Sequence, residues 1–128
     1  MARSLADEFG FAVIFVWQPT LSVTKKRLTD YEAYRMAWEE DVGLELNSLM
    51  ARCTATVDSV MALHSEIPYV PFNGLFDSDT TTVFLDGFGH VTERANAIIG
   101  DTVAGLVAAL LGRGGNEPAR QGGGAAGQ

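Results

Sequence analysis

The chain has 128 residues, 47% hydrophobic and 20% charged, which is the balance of a folded protein and leaves no room for two complete domains. Nine Lys and Arg against sixteen Asp and Glu give a net charge of -7, so the electrostatic footprint of a nucleic-acid or anionic-membrane partner is missing. The lone Cys53 excludes an internal disulfide, and its apolar helical surroundings offer no base to activate a thiol, so it reads as a small buried hydrophobe.

Ala2–Phe9 has helical composition and stops at Gly10, a residue able to close a helix in the left-handed conformation. Residues 11–17, Phe-Ala-Val-Ile-Phe-Val-Trp, are apolar at every position, which predicts a central parallel strand covered on both faces. The run is too short to cross a bilayer. Asp7 and Glu8 stand where a signal peptide would be basic, so any export signal is expected upstream of Met1. Gln18-Pro19 ends the strand because Pro has no amide for the ladder. Lys25-Lys26-Arg27 is expected to be a solvated loop. Thr29-Asp30-Tyr31-Glu32 forms a capping box. From it a helical stripe runs through Tyr31, Tyr34, Trp38 and Val42 and on through Leu46, Leu49, Met50, Cys53, Val57, Val60 and Met61, with Gly43 a candidate break. His64 falls in the last turn and is read as structural.

Residues 67–72 carry two prolines and predict at most an edge strand, after which Asn73-Gly74 turns the chain. Residues 81–85, Thr-Thr-Val-Phe-Leu, predict a short strand that delivers Asp86-Gly87-Phe88-Gly89-His90 at its C-terminal end. In residues 92–111, Ile98, Ile99, Val103, Leu106, Val107, Leu110 and Leu111 keep the helical period behind Thr92 as N-cap, and this helix is expected to pack on the sheet. The remainder, residues 113–128, is Gly-rich without periodicity and is expected to be a disordered tail. The order of elements predicts an α/β fold with a mostly parallel open sheet. One convincing further strand is too few for a strand apolar on both faces, so the rest of the sheet is expected from elsewhere.

A His four residues after an Asp in a Gly-rich loop at a strand end suits a general base held by a carboxylate. Metal binding by His90 with Asp77, Asp79 and Asp86 competes weakly, because one imidazole makes a poor site. Asp77-Ser78 lacks a preceding Gly and reads as loop. Gly74, Gly87 and Gly89 precede no Gly-Lys-Ser/Thr, so they form no phosphate loop.

Two blocks carry a resemblance. The first is Phe15-Val16-Trp17-Gln18-Pro19-Thr20-Leu21, with the Lys-rich turn and Leu28-Thr29 behind it. The second lies within residues 84–99 and includes Asp86-Gly-Phe-Gly-His90-Val-Thr92-Glu-Arg-Ala95-Asn96. In order and spacing they resemble the C-terminal part of bacterial SGNH-type (GDSL-like) ester hydrolases. There a strand ends in Gln-Pro midway through the domain, and a last loop bears Asp-x-x-His before a helix opening Thr-x-x-Gly-Asn. This chain departs in having one extra residue between Asp86 and His90 and Ala95 in place of Gly. The family's Gly-Asp-Ser, Gly and Gly-x-Asn-Asp blocks do not occur in it.

The resemblance implies that residues 1–112 are the C-terminal portion of a three-layer α/β/α, flavodoxin-like domain. It implies hydrolysis of an acyl or acetyl ester, of a small molecule, carbohydrate or lipid, through an acyl-serine intermediate and with no cofactor or metal. His90 would be the base and Asp86 its acidic partner. The Ser and the oxyanion donors would lie in a missing N-terminal part, so the isolated chain is expected to be inactive and to pair with that part or self-associate. The rival is a non-catalytic α/β binding or interaction module of the same descent, which sequence upstream lacking the serine block would favour.

Overall fold

The computed structural model describes residues 2–41 and 45–114. Its elements are α1 (Ala2–Phe9), β1 (Phe15–Trp17), α2 (Asp30–Asp41), α3 (Leu46–Ala62), β2 (Tyr69–Pro71) and α4 (Glu93–Gly114). The chain is α/β, with β1 and β2 in a two-stranded parallel sheet whose register pairs Phe15 with Tyr69, Val16 with Val70 and Trp17 with Pro71.

Helix α1 closes as its composition predicts: Gly10 has φ 70° and its amide donates to the Ala6 carbonyl at 2.8 Å. The capping box of α2 forms reciprocally, the Glu32 amide donating to Thr29 Oγ1 at 3.4 Å and the Thr29 amide to Glu32 Oε2 at 2.9 Å. Thr92 caps α4 through the Ala95 amide at 3.3 Å. That helix extends to Gly114, beyond the expected boundary at 112, and the rest of the expected tail lies outside the described residues.

Several expectations are corrected. The expected strand over 11–17 is reduced to three half-buried residues, with Phe11 exposed, because β2 pairs along only one edge and nothing described covers both faces. Residues 81–85 form no strand, only an isolated antiparallel bridge between Phe84 and Val91. The reason is a carboxylate from α2: the Val83 and Phe84 amides, which a ladder would need, both donate to Glu32 Oε1, at 2.9 and 3.1 Å.

The aromatic stripe of α2 is not its buried face. Tyr31, Tyr34 and Trp38 are exposed, whereas Glu32 and Glu39 are both 0% exposed. Val42 and Gly43 lie outside the described residues. Along α3, Leu46 is buried and Met50, Cys53, Val57 and Met61 are half-buried, but Leu49 and Val60 are exposed. The basic run is not wholly solvated either, since Lys26 is buried with its Nζ 2.5 Å from Glu32 Oε2.

The core therefore sits beyond the strands, not on the sheet. Leu21, Phe76, Val83, Phe84, Val91 and Ala95 form it, with Leu28, Met36, Leu75, Ile98 and Ile99 packed around them. The rings of Phe76 and Phe84 meet edge to face at 6.2 Å. Helix α4 joins through its first turns, while Val107 and Leu111 farther along are exposed. Residues Glu93–Gly112 have a mean hydropathy of 1.6, long and apolar enough to cross a membrane by length and composition only.

Candidate active site

The hairpin-like loop between Phe84 and Val91 holds both residues singled out from the sequence. Its neck is closed by the Leu85 amide donating to the His90 carbonyl at 2.8 Å and the Thr92 amide to the Val83 carbonyl at 2.8 Å. Inside it, Asp86 organises the turn. Its Oδ1 accepts the Phe88 amide at 2.9 Å and the His90 amide at 3.2 Å, and its Oδ2 lies 2.6 Å from Nδ1 of His90. The extra residue thus does not separate the pair.

Two glycines make this possible for different reasons. Gly89 has φ 96°, a backbone conformation that side-chain-bearing residues rarely adopt, and it turns the chain back toward Asp86. At Gly87 the constraint is space, because a Cβ there would stand 2.0 Å from Glu39 Oε2.

Burial of the Asp86 carboxylate would by itself raise its pKa, but the His90 ring and the His90 and Phe88 amides outweigh burial and hold it below its ordinary value. An ionised carboxylate only accepts hydrogen bonds, so the ring proton belongs on Nδ1 and the lone pair on Nε2. The His90 side chain is 74% exposed against 18% for Asp86, and Nε2 has no hydrogen-bond partner among the described residues. The arrangement can therefore take a proton from a group that approaches from solvent.

Beside the loop, a cleft of about 200 Å³ is lined by Trp17, Gln18, Thr20, Met50 and Phe88. Gln18 connects β1 to the loop, its Nε2 donating to the Gly89 carbonyl. The two sequence blocks that were read together are thus in contact. Asp77 is engaged elsewhere, accepting the Lys25 amide at 3.2 Å, and Asp79 pairs with Arg94. Among the described residues no three His, Cys, Asp or Glu side chains come together as a metal site would require. His64 lies against Glu66 at 3.1 Å, past the end of α3.

Compared with family models, curated proteins and solved structures, the chain matches none.

Sequence reasoning missed the carboxylates behind the loop. Glu39 Oε1 accepts the Gly87 amide at 2.8 Å, and Arg35 Nη2 lies 3.4 Å from the same oxygen. The available signal was the helical period: Glu32 and Glu39 are seven apart, two turns of α2, on the side opposite Tyr31, Tyr34 and Trp38. Glu32 was recognised only as half of a capping box.

Proposed function

We propose that the chain carries the acid and base half of a serine-type ester hydrolase, with His90 as general base and Asp86 as the group that fixes its tautomer. The observation that carries this reading is the 2.6 Å contact between His90 Nδ1 and Asp86 Oδ2 on a ring whose other nitrogen faces solvent. A Ser hydroxyl becomes nucleophilic when a neutral imidazole nitrogen takes its proton, and the carboxylate stabilises the imidazolium that forms. The nucleophile is a serine outside these 128 residues, in a Gly-Asp-Ser block. Completed in this way, the domain is a three-layer α/β/α sandwich in which β1 and β2 are neighbouring parallel strands. Acyl or acetyl esters are the substrate class, and the apolar walls of the Trp17 to Phe88 cleft support it.

A non-catalytic binding module of the same descent remains the second reading. It is favoured by the exposed aromatic side chains at the loop, Phe88 at 60% and Tyr31 at 45%, which suit contact with a partner.

The test is release of p-nitrophenol from its acetate, run alongside fluorophosphonate labelling. Both are applied to this chain alone and to the chain joined to a Gly-Asp-Ser segment encoded beside it. The chain alone should neither label nor turn over. In the joined protein, His90→Ala should cost about 10⁶-fold and Asp86→Ala about 10⁴-fold, the disparity seen between base and acid in serine hydrolases. Stoichiometric labelling of the isolated chain refutes an external serine, and full activity of His90→Ala refutes the base. No Gly-Asp-Ser segment in the neighbouring coding sequence would favour the binding module.

A further inference from the structure

Helix α2 presents two buried carboxylates to the backbone of the loop, one to each side of Asp86. Glu32 takes the Val83 and Phe84 amides on the segment that enters it, at 2.9 and 3.1 Å. Seven residues on, Glu39 takes the Gly87 amide at 2.8 Å, the peptide nitrogen directly after Asp86. Both side chains are 0% exposed. Burying two carboxylates on one helix face costs solvation that ordinary packing would not repay, so what they hold needs an explanation.

We propose that Glu32 and Glu39 are positioning residues, a two-point clamp on the 83–87 backbone that fixes the Asp86 carboxylate against Nδ1 of His90. Glu32 anchors the entry and shares its other oxygen with Lys26 and Thr29. Glu39 sets the peptide from which the Asp86 side chain is aimed. Gly87 is buried against Glu39, and a Cβ there would overlap the carboxylate as it is placed, so this contact between loop and carboxylate uses the missing side chain of glycine. Glu39 is itself seated by Arg35, whose guanidinium lies 4.8 Å over the Trp38 ring. Tyr31 ties the same helix to the loop from outside, its hydroxyl donating to the Leu85 carbonyl at 3.1 Å. One helix thus holds residues 83, 84, 85 and 87, while Asp86 itself is left to face His90.

The catalytic meaning of the clamp rests on the ester-hydrolase reading, but its geometry does not, and the test needs no turnover. The readout is the ¹⁵N spectrum of the His90 ring at about pH 9, where a histidine is neutral and the shifts report which nitrogen holds the proton. The Asp86 carboxyl carbon is titrated in parallel. Wild type should show the Nδ1–H tautomer and an Asp86 midpoint below the ordinary one. Glu39→Leu, which keeps bulk but removes the acceptor, should lose the tautomer preference and let the Asp86 midpoint rise. Glu39→Gln, which keeps an oxygen for the Gly87 amide, should restore both.

A folded Glu39→Leu with an unchanged ring spectrum overturns the proposal, as does a Glu39→Gln that fails as badly as Leu. If Glu39→Leu does not fold, Gly87→Ala decides: it keeps both glutamates in the sequence but sets a Cβ where Glu39 Oε2 lies, so loop and carboxylate must part, and an unmoved tautomer there overturns the clamp. In the wild type, the Gly87 amide should exchange with deuterium as slowly as those of Val83 and Phe84. Exchange at the rate of an unstructured peptide overturns the proposal whatever the variants show. Failure of ester hydrolysis would sink the enzymatic reading and leave these spectra untouched.

Discussion

Glu32 is the residue whose removal should cost the fold most, and the size of the loss can be worked from its partners. One oxygen accepts the Val83 and Phe84 amides; the other accepts Lys26 Nζ at 2.5 Å, the Thr29 amide at 2.9 Å and Thr29 Oγ1 at 3.1 Å. Glu32→Ala strands three amides and a buried ammonium. An orphaned buried amide costs about 1–3 kcal/mol, and breaking a buried ion pair from one side costs about 3–5 kcal/mol. The terms do not add fully, because water and relaxation satisfy some groups, so we expect a loss of at least about 4 kcal/mol from a total near 5–15 kcal/mol.

Two double variants separate the ion pair from the amides. Lys26→Met with Glu32→Met removes both charges and leaves the three amides unpaired, so it should remain about 3 kcal/mol below wild type. Lys26→Met with Glu32→Gln keeps an oxygen for Val83 and Phe84, and should fall within about 1–2 kcal/mol of wild type. The assay is urea unfolding followed by circular dichroism at the lowest workable concentration, where association does not shift the midpoint. An isolated buried ion pair can be replaced by apolar residues at no cost or with a gain. Wild-type stability in the double Met variant would therefore refute the view that Glu32 is there for the backbone.

Stability should fall in acid, from about pH 4 downward. Asp79 is held down to about 2, chiefly by the Arg94 guanidinium, while Glu32 is lowered because Lys26 and the Thr29, Val83 and Phe84 amides outweigh its burial. Asp86 is also lowered. A carboxylate with a depressed folded pKa contributes fully above its unfolded value and loses that contribution as pH falls through the folded one. Urea midpoints measured from pH 6 to pH 2 should decline accordingly, Asp79→Asn should flatten the lowest part, and a flat profile would contradict these assignments. Gly89→Ala should cost about 1–3 kcal/mol, because φ 96° is strained for Ala and its Cβ would lie 2.8 Å from Gln18 Nε2. An unchanged urea midpoint would show that the loop tolerates another path.

The sequence revealed the helices and turns whose signals are local, and it misled where a signal depended on neighbours. Gly10, the Thr29 to Glu32 box, Thr92 and Asn73-Gly74 each act within four residues, and each forms as read: the Leu75 amide, for instance, donates to the Phe72 carbonyl at 3.0 Å across the last of these. The strand over 11–17 fails because an apolar run states a demand for cover and cannot supply it. The 81–85 strand fails for the opposite reason. Its residues have strand propensity, but a carboxylate 51 residues away takes the Val83 amide.

The same distinction governs the site. Asp86 and His90 were singled out because a carboxylate and an imidazole four residues apart in a glycine-rich loop lie within reach of each other along the chain. The hydrogen bonds between them lie within residues 85–90, while the carboxylates that hold the backbone beneath them come from α2. The contacts of Glu39, Gln18 and Lys26 were missed because a charged or amide side chain gives no sign of its partner in sequence, and the partners are a backbone amide, a backbone carbonyl and a carboxylate six residues on. On α2 the usual amphipathic logic is inverted. The aromatic residues at 31, 34 and 38 face outward, and the acids at 32 and 39 face in, since a backbone segment without a strand partner needs acceptors more than it needs apolar cover. A loop whose amides are held by side chains instead of a sheet can depart from ladder geometry. That freedom lets a five-residue turn with φ 96° at Gly89 return His90 to Asp86.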